Sequence, residues 1–255
     1  MIITKNVSLQ SFNTFGIDAK AKSFCDITSI DELQTVLKEH HSNPLFILGG
    51  GSNMLLTQDI DALVLHINLK GIKVISETEN TVIIKAMAGE NWHDFVLWCL
   101  DYNYGGVENM SLIPGNIGTS PIQNIGAYGV ELKDVFVSCE ALNIETQTSR
   151  TFTKSECKFG YRESIFKNEK KNKYIILNIT LKLNKNPKIN VSYGEIKNDL
   201  RNNNIKSPTV KDVSEAIISI RKRKLPDPKK IGNCGSFFNW HKFKIYKKRM
   251  ATSKK

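Results

Sequence analysis

Residues 112–129, Leu-Ile-Pro-Gly-Asn-Ile-Gly-Thr-Ser-Pro-Ile-Gln-Asn-Ile-Gly-Ala-Tyr-Gly, set Gly115, Gly118, Gly126 and Gly129 among prolines, apolar residues and the amides of Asn116, Gln123 and Asn124. Glycine permits backbone conformations closed to other residues and lets a ligand approach the main chain. Amide side chains carry both donor and acceptor, as reading the edge of a heterocycle requires. Such a loop suits a large, flat, polar-edged cofactor. A second run, Gly49-Gly50-Gly51-Ser52-Asn53, offers consecutive N–H groups that cradle an oxyanion or simply make a tight turn. It lacks the third glycine and the helix opening of a dinucleotide fingerprint. Arg162 stands between aromatics in Phe159–Lys167. Always charged and fork-shaped, it binds an acid substrate, stabilises an enolate, or pairs on the surface with Glu163. Ser236, in the glycine-flanked turn Gly232–Phe238, gives a proton in a closed site or caps the turn. No His/Asp partner for it is evident, which argues against a hydrolase-type nucleophile. Cys234 reads as a small packed residue, since no activating motif surrounds it.

These segments need elements to hold them. Ser29 and Glu32 predict a capping box opening a helix at 30–40. A strand at Leu45–Leu48 runs into Gly49, and another follows at Ala62–Asn68. The second stretch begins with a β-rich segment, Thr81–Ala88, and a helix at about 91–103 whose apolar face carries Trp92, Phe95, Val96 and Leu100. Beyond the glycine-rich loop come strands at Asp134–Asn143 and Tyr174–Leu183, then an Asn/Lys-rich connection at 184–208. Thr209 caps a last helix over 210–224, which Leu225-Pro226-Asp227-Pro228 ends. Elements mixed in this way predict an α+β fold rather than a regular βαβ series.

Composition excludes several classes. The five cysteines form no CxxC pair, and the histidines lack metal-ligand spacing, so neither a disulfide framework nor a metal site is expected. The net charge of +11 is concentrated: residues 239–255 hold seven of the 36 Lys/Arg and no acid. The rest of the excess is spread and lysine-rich without interleaved aromatics, which disfavours nucleic-acid binding and suits anionic substrates. No apolar run approaches the roughly 18–20 residues of a membrane span, and the N-terminus lacks a signal peptide, so a cytoplasmic protein without a membrane partner is expected.

Together the segments Asn13-Thr14-Phe15-Gly16, Leu48–Asn53, Ala88-Gly89-Glu90-Asn91-Trp92, 112–129, Phe159–Lys167, Lys224–Lys229 and Gly232–Phe238 resemble the family of UDP-N-acetylenolpyruvoylglucosamine reductases (UDP-N-acetylmuramate dehydrogenases). The resemblance runs in the family's order from near residue 10 to residue 238, and Val191–Glu195 looks like the tyrosine loop of the type I branch. It implies an α+β, two-subdomain FAD-binding fold of the vanillyl-alcohol-oxidase (PCMH) type. Subdomain one would span 1–70 and subdomain two 71–219, with a substrate-binding domain beginning at 220. FAD would be non-covalent and NADPH a co-substrate. The substrate would be the small molecule UDP-N-acetylenolpyruvoylglucosamine, reduced to the lactyl ether by a monomer. Gly50, Gly51, Ser52 and Asn53 would receive the pyrophosphate, with Gly49 and Met54 beside them. Ile113, Pro114, Gly115, Ile122, Gln123, Asn124 and Gly126 would line the flavin and its phosphates, with Ile176 touching the ring through its backbone. Arg221 and Gly235 would complete the cofactor set. Tyr128, Tyr193 and Lys224 would meet the substrate, with Lys224 suited to the UDP pyrophosphate. Arg162 would stabilise the enolate of the carboxylate, and Ser236 would protonate it.

The pattern departs at Phe238. In the family Gly-Ser-Phe-Phe continues Lys-Asn-Pro and about 85 further residues, enough for a small domain, which supply a catalytic glutamate. Here Asn239-Trp240-His241-Lys242 and a basic tail follow. The expectation is a truncated or frame-disrupted reductase with its substrate domain only begun. The alternative is a catalytically impaired FAD-binding remnant.

Overall fold

The structure, a computed structural model, describes residues 1–234. Two sheets organise the chain. β1 (Ile3–Ser8), β2 (Lys20–Ile27), β3 (Leu45–Leu48) and β4 (Ile60–Ile67) form the first, in the order β1-β2-β4-β3. β1 is antiparallel to β2, whereas β2 and β3 both lie parallel to β4. Parallel strands require a crossover, and α1 (Ile30–Glu39) lies in the one that leaves β2. It opens on the predicted capping box: Ser29 Oγ accepts from the Glu32 amide, and the Glu32 carboxylate accepts from the Ser29 amide. Leu33, Val36 and Leu37 form its buried face.

β5 (Ile72–Glu77) and β6 (Thr81–Met87) begin the second sheet. α2 (Trp92–Asp101) follows, with Asn91 Oδ1 accepting from the His93 and Asp94 amides as an N-cap. After the glycine-rich loop come a small hairpin, β7 (Gly126–Ala127) and β8 (Val130–Glu131), and one helical turn, α3 (Leu132–Val135). β9 (Phe136–Asn143), β10 (Ser149–Thr153) and β11 (Tyr174–Asn184) complete an antiparallel sheet ordered β10-β9-β11-β6-β5. The strand predicted from Asp134 therefore starts at Phe136. Its first two positions are helical because the Glu131 amide donates to the Asp134 carboxylate and opens a turn.

β11 joins the two cores. Ile175 and Leu177 pack with the α1 side of the first sheet, while Ile179, Leu181 and Leu183 pack under α2. Residues two apart should share a face, so the phase has flipped, and a bulge between Ile176 and Asn178 is the cause. The Leu177 carbonyl there accepts from the Ala88 amide, which ties the bulge to the start of the Ala88–Trp92 motif.

The 184–208 connection is not all connection. It contains α4 (Gly194–Asn202), which buries Ile196, Leu200 and Asp199 against α5 (Val210–Lys224). Arg223 reaches the buried Asp199 carboxylate at 2.9 Å, so a polar position serves the packed face. α5 opens on the expected Thr209 cap, with Ala216, Ile217 and Ile220 buried. Among the described residues no helix is long and apolar enough to cross a membrane.

Candidate functional site

The two glycine-bearing loops lie against each other. A Cβ on Gly50 would come within 2.7 Å of Asn116 Oδ1 and 2.9 Å of Gly115 Cα. Gly115, at φ +111°, faces Ser52, whose Oγ lies 2.7 Å from where a Cβ would stand. Gly51, at φ +56°, presses on the Phe12 carbonyl and leaves no room for a side chain. Across the same seam Asn53 Nδ2 donates to Gln123 Oε1 at 2.8 Å. The far side of the 112–129 loop is fastened by main chain to residues 88–92. Trp92 N–H donates to Gly115 O, Ile117 N–H to Glu90 O and Gly118 N–H to Ala88 O, all at 2.8–2.9 Å. The Trp92 indole N–H, itself buried, reaches the Met110 carbonyl at 3.0 Å.

Three cavities open around this seam. The first, about 230 Å³, is lined by Gly49, Gly51, Ser52, Asn53, Met54, Pro114, Ile122 and Gln123. The second, about 260 Å³, shares Gly49, Thr119, Ile122 and Lys167 with the first and extends to Ile176 at the β11 bulge. The third, about 760 Å³, lies on the other side of Pro114 and carries Ile113, His93 and Arg221. Glycine-lined walls with a few polar groups are what a dinucleotide with a flat ring requires. Thr14 Oγ1 and Arg221 Nε, both buried, have no hydrogen-bond partner among the described residues, and Thr14 N–H donates to the Gly51 carbonyl in the cradle itself. The residues present therefore fit a bound polar cofactor.

Arg162 adopts a left-handed backbone, φ 56°, and its guanidinium donates to the carbonyls of Gly126 (2.6 Å) and Asn124 (3.3 Å). That places the cation at the end of the glycine-rich loop rather than on open surface. Asn124 turns inward. Its Nδ2 donates to Gly160 O and its Oδ1 accepts from the Lys133 amide, so its fully buried side chain staples the loop to the Arg162 segment instead of facing a cavity. Lys167 Nζ donates to the Arg162 carbonyl at 2.9 Å.

A second group gathers where α4 meets the end of α5. The Tyr128 and Tyr193 rings meet edge to face at 5.5 Å. Lys224 pairs with Glu195 at 2.6 Å, which raises its pKa. Burial raises the Tyr128 phenol, although Arg221 and Lys224 nearby pull it down. Burial also lowers the pKa of the Arg221 guanidinium, with Tyr128 opposing the shift. His93 is held below its ordinary value, first by burial and then by Arg221 and Lys222, against the pull of Asp94.

Gly235 and Ser236 lie outside the described residues. Sequence reasoning missed His93, Thr119 and Lys167 as cavity residues. Thr119 and Lys167 sit inside quoted motifs. His93 follows the Ala88–Trp92 motif directly, and its position in the first turn of a capped helix was the available signal.

Residues 21–151 match a family described as an FAD binding domain. Over 239 residues the chain is 63% identical to the UDP-N-acetylenolpyruvoylglucosamine reductase of Flavobacterium johnsoniae, covering 93% of this chain and 71% of that protein. It is 44% identical to the Pseudomonas aeruginosa protein of the same name, with coverages of 92% and 70%. Among solved structures, UDP-N-acetylenolpyruvylglucosamine reductase from Thermus caldophilus superposes with a TM-score of 0.57 at 17% identity, over 88% of this chain and 97% of that one. A solvent-stable cholesterol oxidase gives 0.53 at 17%, over 73% and 40%. At such identities the likeness is one of fold, a two-sheet α+β architecture, and the FAD-binding description comes from the family match over residues 21–151.

Proposed function

We propose that this chain, which belongs to the family of UDP-N-acetylenolpyruvoylglucosamine reductases, holds FAD non-covalently and reduces UDP-N-acetylenolpyruvoylglucosamine to UDP-N-acetylmuramate with electrons from NADPH, in peptidoglycan precursor synthesis. The observation that carries this reading is the seam at Gly50 and Gly115, where two loops approach too closely for any side chain and border the adjoining cavities. When bound, FAD supplies hydride transfer, and the protein supplies binding, orientation and electrostatics.

Gly50, Gly51, Ser52 and Asn53 hold the pyrophosphate in this reading, with Gly49 and Met54 as walls. Ile113, Pro114, Gly115, Ile122, Gln123 and Gly126, the backbones of Asn124 and Ile176, and Arg221 surround the rest. Gly235 and Ser236 are assigned from the sequence resemblance alone. Hydride delivered to the terminal vinyl carbon of the substrate would leave negative charge shared between the α-carbon and its carboxylate. A fixed cation beside that charge lowers the barrier more than it would in water, and Arg162 takes that role in this reading. A proton from the Ser236 hydroxyl to the α-carbon would then give the lactyl ether, with solvent returning a proton to the serine. Tyr128 and Tyr193 flank the substrate, and Lys224 exchanges the Glu195 carboxylate for the UDP pyrophosphate.

The test is a flavin spectrum followed by two anaerobic additions. FAD-loaded protein is expected to bleach with NADPH and recover its colour with the enolpyruvyl substrate. Bleaching without recovery would leave an FAD-binding protein that lacks the substrate half-reaction. A chain that takes up no FAD overturns the reading.

A further inference from the structure

The tetrapeptide Leu112–Gly115 is gripped at both ends by the first turn of α2. At one end the Leu112 N–H donates to His93 Nδ1 at 3.0 Å. At the other the Gly115 carbonyl accepts from the Trp92 N–H at 2.9 Å. Between these anchors Pro114 forms part of the wall of both the first and the third cavity. The anchored backbone is a strained one. Leu112 sits at φ 58°, a region a bulky branched residue rarely enters unless its surroundings fix it. The imidazole is the acceptor that satisfies its amide there.

We propose that His93 is a positioning residue for the cofactor wall: its neutral imidazole, accepting the Leu112 N–H at Nδ1, holds residues 112–115 in their binding conformation, and protonation of that nitrogen releases them. The proposal rests on the reading of this cavity as an FAD site. An acceptor at Nδ1 fixes the tautomer, leaving the proton on Nε2. The charges around the ring come from three elements. Asp94 belongs to α2, Arg221 and Lys222 to α5, and Asp227, Lys229 and Lys230 to the turn that closes the third cavity. Burial and the Arg221 and Lys222 cations keep the ring neutral, and Asp94 opposes them. The sign follows. A depressed histidine is already more than half neutral at its ordinary value of 6.5 and gains its proton as pH falls through its lowered one. FAD affinity is therefore flat at neutral and alkaline pH and declines on the acid side. By reciprocity, bound FAD resists that protonation.

Two substitutions separate the roles of the two ring nitrogens. Asparagine places an amide oxygen near the Nδ1 position and does not titrate. Glutamine places its amide near Nε2 and leaves Leu112 without an acceptor. By FAD fluorescence titration against pH, His93→Asn is expected to keep the neutral-pH dissociation constant within about twofold and to lose the acid decline. His93→Gln is expected to bind about tenfold more weakly, the loss of roughly one net hydrogen bond. Equal losses in both variants, or an acid decline that persists in His93→Asn, overturn the proposal. Thermal melts identify a variant that does not fold; if His93→Gln is the one, the pH profile of His93→Asn decides. Nitrogen-15 NMR of the cofactor-free wild type at neutral pH is expected to show the proton on Nε2, and a proton on Nδ1 overturns the proposal. A wild-type chain that binds no FAD ends the functional reading instead, and the tautomer alone then judges the His93–Leu112 bond.

Discussion

The wall formed by residues 49–53 and 112–129 and the surface where α4 meets α5 are both assigned to the site proposed above, yet they are held by different forces. The wall is fastened through main-chain hydrogen bonds, positive-φ glycines and buried amides such as Asn124. The α4–α5 surface is set by the half-exposed Lys224–Glu195 pair and by the exposed ring of Tyr193. Buried, backbone-anchored groups lose their geometry only when that part of the fold opens, whereas exposed ion pairs are screened and exchange partners readily. The contrast suits the division of labour proposed above: a cofactor kept through many turnovers needs a fixed wall, and a substrate that comes and goes needs side chains free to swap partners.

The contrast breaks first if the wall proves soft, and Gly51→Ala asks that most severely. A methyl at φ +56° is strained, and here it also meets the Phe12 carbonyl. The expected destabilisation is about 3 kcal/mol or more, combining left-handed strain with a backbone clash. For a chain of this size that lowers the melting temperature by roughly 6–12 °C, with loss of FAD binding. Calorimetry and flavin titration read both. An alanine variant that melts like wild type and binds FAD would show that the cradle yields.

Asn124→Ala probes the staple rather than the cradle. It removes partners from two buried main-chain groups, the Gly160 carbonyl and the Lys133 amide. Leaving such groups unsatisfied costs about 2 kcal/mol. The variant is expected to melt roughly 4–8 °C lower. Because the Asn124 and Gly126 carbonyls carry the Arg162 guanidinium, any substrate turnover should fall further than FAD affinity does. Equal losses in the two readouts would mean that Arg162 is placed by something else.

These contrasts were unevenly legible in the sequence. α1, β3 and α5 were readable because a capping residue or a glycine run punctuates an apolar pattern at each. α4 was hidden: it buries only Ile196 and Leu200 as apolar residues, and its third buried position, Asp199, is neutralised by Arg223 from another helix. Such a partner is not visible from local periodicity. β2 is masked in the sequence although its burial nearly alternates, because Lys20, Lys22 and Asp26 on its exposed face resemble a loop. The glycine loops announced a cofactor, since close backbone approach needs glycine whatever the fold. The role of Asn124 was the reverse case: composition suggests an amide facing a ligand, and only the tertiary structure shows both of its ends already bonded. His93 escaped because a lone histidine has no spacing to read, and its function lies in one backbone amide nineteen residues away.

The smallest structural effect is expected on the α4–α5 surface, and it tests the other half of the contrast. Lys224 and Glu195 are 55% and 47% exposed, so breaking their pair should leave the melting temperature unmoved. Ligand affinity should respond with opposite signs. Lys224→Ala removes the cation proposed for the pyrophosphate and should weaken UDP binding by about tenfold, as loss of a charge-assisted hydrogen bond does. Glu195→Gln removes the carboxylate that competes for the same ammonium, so UDP should bind more tightly, and the gain should shrink as salt is raised. Isothermal titration of UDP into both variants at two salt concentrations reads the signs directly. If Lys224→Ala instead lowers the melting temperature as Asn124→Ala does, the surface is structural and the two regions are not divided as argued. If Glu195→Gln weakens UDP binding, Glu195 is orienting Lys224 for the ligand rather than occupying it, and the ion pair belongs to the preorganised part of the site.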